Sequence, residues 1–195
     1  MAIHVAVFGG SQPKPGEPAY LDALHLGRLL AEAGYIILNG GYIGSMEAVS
    51  RGAAEVNGHV IGVTCDEIEA WRPVKANRWV SEVWHYPSLK QRMFALIENA
   101  DAYLALPGGV GTLAEVLLTW NMLLTTILPP RPLILIGAGW SRTIGAFIYE
   151  QGEFIPEEQR KWVAFAPEVD AAFQRLHEIL SDGKLLSEGT QHDRR

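Results

Sequence analysis

The chain has 195 residues, 48% of them hydrophobic and 19% charged, which suits one globular α/β domain with a full core and is short for two. Its net charge of −6 argues against a nucleic-acid or anionic-membrane surface, without bearing on a small anionic ligand that answers to a local field. The single cysteine, Cys65, excludes an internal disulfide and a paired-cysteine metal site.

Ile3 to Phe8 reads as a first buried strand, and it runs into the glycine turn Gly9-Gly10-Ser11. Pro13 to Pro18 reads as a polar loop. Tyr20 to Ala33 carries leucines on a helical face and stops at Gly34, a C-cap. Tyr35 to Leu38 is a second strand, followed by a second glycine turn, Asn39-Gly40-Gly41-Tyr42-Ile43-Gly44. Ser45 to Glu55 is helical in composition and His59 to Val63 is a third strand. From Thr64 to Pro87 the pattern weakens; a connecting loop with short extended pieces is expected there, long enough to suggest function or a partner surface. Ser88 to Gln91 forms a capping-box pattern that opens a helix through Asn99.

Ala102 to Leu106 is a short apolar run, expected as the fourth strand and buried on both faces. It leads into Pro107-Gly108-Gly109-Val110-Gly111-Thr112 and an apolar helix from Leu113 to Thr126. Pro132 to Ile136 is a fifth strand, and a helix over Trp140–Gln151 follows Gly137-Ala-Gly139. Pro156 opens a short helix, Trp162 to Phe165 is a last strand, and Pro167 to Leu180 a last helix. Strands alternating with helices predict a Rossmann-like, doubly wound, mostly parallel sheet with helices on both faces. Residues 1–186 are read as one nucleotide-binding domain and 187–195 as a disordered tail. No apolar run reaches the roughly 18–20 residues that span a bilayer, and Met1-Ala-Ile-His-Val enters a strand at once. No membrane partner, no signal peptide and a cytoplasmic location are expected.

Glycine turns that join a strand to a helix present unpaired backbone N–H groups and a positive helix end to an anion. The turns Gly9-Gly10-Ser11, Gly40-Gly41-Gly44 (the latter spaced by Tyr42 and Ile43) and Pro107 to Thr112 are expected at the same rim of the sheet, where such folds bind ligands. The dinucleotide fingerprint G-x-G-x-x-G is missing after the first strand, as are a P-loop lysine motif and a nucleophile elbow. Six histidines are scattered without ligand spacing, so no metal is expected. What remains is an anion site of mononucleotide size with a carboxylate and a guanidinium nearby. Glu115, one turn into its helix, is the candidate carboxylate, although Thr112-x-x-Glu115 also fits a capping box. Arg92 by itself reads as a surface ion-pair residue.

Pro107-Gly-Gly-Val-Gly-Thr-Leu-Ala-Glu115 resembles the P-G-G-x-G-T-x-x-E signature of the LOG family, the cytokinin-activating phosphoribohydrolases once mislabelled lysine decarboxylases. Val5 to Ser11 is similar to the family's first strand and turn, and Asn39 to Met46 to its G-G-G-x-x-G-x-M turn. Arg92, fifteen residues before Pro107, is similar to the arginine of the family's E-R-K stretch. The resemblance implies cleavage of the N-glycosidic bond of a purine nucleoside 5′-monophosphate, N6-modified or not, to free base and ribose 5-phosphate. It implies Glu115 and Arg92 as catalytic residues, the three glycine turns as the nucleotide and phosphate site, no cofactor, and a homodimer. The homodimer also agrees with a helix after Pro107 that is apolar on several faces. The chain departs from the family pattern at Lys90, Gln91, Met93 and Ala114, and at Glu47, where glycine is usual. Those departures leave a second reading, a nucleotide or molybdenum-cofactor carrier without turnover.

Overall fold

The computed structural model describes residues 2–182, so the tail expected at 187–195 lies outside the described residues. Seven strands form one parallel sheet: β1 (His4–Phe8), β2 (Ile36–Asn39), β3 (Val60–Cys65), β4 (Glu82–Tyr86), β5 (Ala102–Ala105), β6 (Leu133–Ile136) and β7 (Val163–Ala166). Their order is β4-β3-β2-β1-β5-β6-β7. The chain therefore winds outward from β1 to the β4 edge, crosses back, and winds outward again from β5. The reversal lies between β1 and β5, paired in register from Val5–Ala102 to Phe8–Ala105. Such a switch point parts the loops at the carboxyl ends of two neighbouring strands and leaves a crevice.

Successive strand residues point to opposite faces, and here both faces are apolar. Ala6, Phe8, Val63, Tyr103 and Leu135 enter one core with α4 (Leu89–Glu98), α5 (Val110–Leu124) and α6 (Ala138–Glu150). Val5, Val7, Ile37, Leu104 and Ile136 enter the other with α1 (Pro18–Glu32), α2 (Ser45–Ala54) and α8 (Val169–Asp182). Each fully buried Leu, Ile, Val or Phe contributes about 1.5–3 kcal/mol, so this two-sided burial holds the strand ends in place. Gly34 ends α1 in the left-handed conformation (φ +79°), with the Tyr35 N–H donating to Leu30 C=O at 3.1 Å.

The stretch from Thr64 to Pro87 departs from expectation. It holds the end of β3, a short helix α3 (Asp66–Trp71) and the edge strand β4. β4 was not legible because Glu-Val-Trp-His-Tyr lies at the sheet margin, with Glu82, Val83 and His85 exposed, and so lacks an apolar run. Pro107 consequently follows the fifth strand and not the fourth. The helix after it begins at Val110, three residues earlier than the periodicity indicates, because the start is set by glycines that carry no pattern. Near the carboxyl end of the chain, α7 (Glu157–Arg160) begins just after Pro156. No helix among the described residues is long and apolar enough to cross a membrane.

Candidate active site

The three glycine turns meet at the switch point, and Gly10 joins them. Its N–H donates to the Pro107 C=O (3.3 Å), and its own C=O accepts from the Ser45 N–H at the start of α2 (2.9 Å). These contacts leave no room for side chains. A Cβ on Gly9 would lie 2.8 Å from the Ser45 Cβ, and one on Gly44, whose φ is +75°, would lie 2.6 Å from the Ser11 backbone. Gly41 also has a φ of +75° and sits against Gly62 of β3. Thus Gly9, Gly10, Ser11, Gly41 and Gly44 form a packed wall.

The turn after β5 is built differently. Pro107, Gly108, Gly109, Val110 and Gly111 are exposed, and nothing lies within 4 Å of a Cβ placed on Gly109 or Gly111. Thr112 is buried beneath Gly108. Gly109 is the N-cap of α5, and the helix closes with the Leu113 N–H donating to its C=O at 3.0 Å. The N–H groups of Val110, Gly111 and Thr112 precede that bond and have no partner within the helix. No acidic residue occupies the first turn. The start of this helix is therefore open in shape and carries no opposing negative charge.

Arg92 and Glu115 come together beneath the rim. Both are buried, at 5% and 8% exposure, and Arg92 Nη1 donates to Glu115 Oε1 across 3.4 Å. Arg92 Nε donates to the Val63 C=O of β3 at 2.8 Å. A Cβ on Gly40 would collide with Arg92 Nη2 and with Met46 Sδ, so this glycine makes the slot that the guanidinium occupies. The surface ion-pair reading of Arg92 is therefore wrong. Capping also fails for Glu115, because α5 starts at Val110 and Glu115 lies beyond the reach of its N-cap.

Neither Glu115 Oε2 nor Arg92 Nη2 has a hydrogen-bond partner among the described residues. No buried side-chain nitrogen or oxygen among them lacks one, so both atoms keep at least a trace of accessible surface. Burial pushes the Glu115 carboxyl above its ordinary 4.5, and the charge and hydrogen bond of Arg92 oppose that rise without cancelling it. Among the described residues no group of three or more His, Cys, Asp or Glu is placed to hold a metal ion.

Several residues near the site gave no signal of their own. Tyr42, inside the second glycine turn, places its ring 5.9 Å from the Arg92 guanidinium carbon. Asn77 ties that turn to the segment before β4: its N–H donates to Gly41 C=O at 2.7 Å, and its side-chain amide donates to Tyr42 C=O at 2.9 Å. The Glu47 carboxylate accepts from the Tyr20 hydroxyl of α1 at 3.3 Å. Trp120 is buried in the core and donates Nε1 to Gln159 C=O at 2.9 Å. Cys65 is a buried small residue, as its type suggests. A cavity of about 250 Å³ opens beside the Pro107 turn, lined by Pro107 to Val110 of that turn and by Leu113, Gly139, Trp140 and Thr143.

The chain has relatives among known proteins. Residues 46–176, which include Arg92, the Pro107 turn and Glu115, match the family model described as "Possible lysine decarboxylase". The chain is 32% identical over 186 residues to the cytokinin riboside 5′-monophosphate phosphoribohydrolase LOG of Oryza sativa subsp. japonica, covering 91% of this chain and 74% of the relative. It is 34% identical over 122 residues to the enzyme of that name from Rhodococcoides fascians, covering 61% of each. In fold it is similar to the molybdenum cofactor binding protein of Rippkaea orientalis, with a TM-score of 0.72 at 23% identity, covering 92% of this chain and 98% of the other. The chain therefore belongs to the LOG family, whose relatives are named as phosphoribohydrolases.

Proposed function

We propose that this chain is a phosphoribohydrolase that splits a purine nucleoside 5′-monophosphate, N6-modified or unmodified, into free base and ribose 5-phosphate. The observation that carries the reading is a buried carboxylate, Glu115, with one oxygen that no described residue engages, one turn below a helix end free to hold a phosphate. In this reading the N–H groups of Val110, Gly111 and Thr112 hold the 5′-phosphate, and the wall from Gly9 to Ser11 and from Gly40 to Gly44 bounds the crevice.

The reaction needs only water as a second reactant. The bond between the anomeric carbon and the base nitrogen breaks, and its electron pair leaves with the base, which takes up a proton. Water then bonds to the anomeric carbon and loses one. The sugar passes through an oxocarbenium-like state, which an ionised Glu115 stabilises while it orients the water. Arg92 favours the ionised form of Glu115 and meets negative charge on the nucleotide or the departing base. No metal or organic cofactor enters the scheme.

Incubating the pure protein with AMP and N6-modified AMP, with free base read by chromatography, tests the proposal. Release of base supports it; no release from any purine or pyrimidine monophosphate by folded protein rejects it. Tight nucleotide binding without turnover would favour a carrier instead. A homodimer remains part of the proposal, since Leu117 of α5 and Phe147 and Tyr149 of α6 stay exposed. Sedimentation as a monomer at micromolar concentration would remove it.

A further inference from the structure

We propose that Tyr42 is a positioning residue that holds the Arg92 guanidinium away from Glu115, leaving both groups free to act on the ligand. The inference rests on the hydrolase reading for its kinetic consequence but not for its geometry.

Tyr42 lies in a glycine turn, where an exposed polar residue would be ordinary, yet it is 2% exposed. Its hydroxyl accepts from the Cys65 N–H at 2.8 Å and donates to the Cys65 C=O at 3.2 Å, so one residue at the end of β3 fixes the phenol twice. Two residues earlier on that strand, Val63 C=O accepts from Arg92 Nε. One strand end therefore anchors the arginine directly and also anchors the ring beside it. The guanidinium is enclosed by that ring, Gly40, Met46 and the Val63 carbonyl.

The distance from Arg92 to Glu115 shows what this enclosure does. A charge-assisted N–H to carboxylate bond ordinarily closes to about 2.7–2.9 Å. Here the gap is 3.4 Å inside a buried site, where the attraction is strong. The Val63 bond and the ring 5.9 Å away are the contacts beside the guanidinium that hold it at this separation. Without the ring the guanidinium would move onto Glu115, neutralise it, and withdraw from the crevice. Arg92 of α4 is the charged group acting on Glu115. Those acting on Tyr42 are Cys65, Glu69 and Arg92.

The test compares Tyr42→Leu, which removes the ring, with Tyr42→Phe, which keeps the ring and loses the hydroxyl bonds. On AMP or N6-modified AMP, Tyr42→Leu should lower kcat about 10- to 100-fold with KM within about threefold, as expected for lost transition-state stabilisation. Its acid limb should move to lower pH, because a closer cation lowers the carboxyl pKa. Tyr42→Phe should recover most of the rate. Wild-type kcat and an unmoved pH profile in Tyr42→Leu would overturn the inference. The Arg92 Nε–H signal, assigned by its loss in Arg92→Lys, gives a second readout by two-dimensional NMR that needs no turnover. It should be resolved and slow to exchange in the wild type and in Tyr42→Phe, and faster in Tyr42→Leu, or in Tyr42→Met if the leucine variant does not fold. An unchanged exchange rate would overturn the inference. Wild-type protein that releases no base rejects the hydrolase reading alone.

Discussion

The two flanks of α5 carry opposite chemistry within one helix. Toward α4 it buries Thr112, Glu115 and Thr119, and Glu115 faces Arg92. Toward α6 it presents Leu113 to a largely apolar cavity with Trp140. The Trp140 indole is itself held by a bond from Nε1 to Leu106 C=O at 3.1 Å. The apolar flank is what any packed helix produces, and its hollow borders the Pro107 to Val110 turn from the other side of Leu113. The polar flank is costly, because desolvating a carboxylate and a guanidinium takes several kcal/mol per ion before their attraction is counted. A site with that cost, with one oxygen and one nitrogen left open, is explained by chemistry better than by stability. The contrast shows where to look on a helix whose sequence is apolar nearly all round.

The comparison breaks most decisively at the pair itself. Glu115→Gln and Arg92→Ala should each lower kcat by about 10²–10³-fold in a base-release assay if the polar flank is catalytic. An unchanged rate for either would make the two flanks equivalent. Gly40→Ala should come next: the new methyl displaces Arg92 Nη2 and Met46. A loss of about tenfold or more in kcat, with circular dichroism retained, is the expected result.

The pH profile gives a finer distinction. Burial raises the Glu115 carboxyl, so an enzyme that needs it ionised should lose kcat/KM as pH falls through a value above 4.5. The stability term has the opposite sign. The folded carboxyl binds its proton more tightly than the unfolded one, so its contribution is full below the unfolded pKa and is lost as pH rises through the raised value. Denaturant titrations should show that slope in the wild type and not in Glu115→Gln.

The smallest effects belong to the apolar flank and to the charge near the second turn. Leu113→Ala should cost stability, about 1–2 kcal/mol for a half-buried side chain, while kcat stays within about twofold. A kcat loss comparable to that of Arg92→Ala would bring the cavity into the active site. Glu47→Gln should change KM for the nucleotide by less than about twofold, since a partly exposed carboxylate is screened by solvent. A large drop in KM would show that its charge reaches the phosphate after all.

Local features were legible without coordinates. Buried strands appear as apolar runs, α1 as a leucine face ended by Gly34, and α4 as a helix capped by Ser88, whose hydroxyl accepts from the Gln91 N–H at 3.2 Å. The glycine turns announced the rim because tight strand-to-helix connections and close backbone approach need residues without side chains. Each of these signals acts within a few residues of chain. The strand β4 escaped because a half-exposed edge strand has no apolar signature, and the first turn of α5 escaped because its glycines have no period.

What the amino-acid order alone determined was the alternating parallel sheet, the three turns and the identity of Glu115 as a carboxylate at a helix start. Arg92 acquired a role only by resemblance, since a lone arginine on a helix looks the same in solvent or in a core. The tertiary structure decided its partners. It brought Glu115, Val63, Gly40 and Tyr42, which lie 23 to 52 residues from Arg92 in the chain, around one guanidinium. Contacts at that separation depend on which strands become neighbours, and the reversal between β1 and β5 is fixed only when the whole sheet assembles.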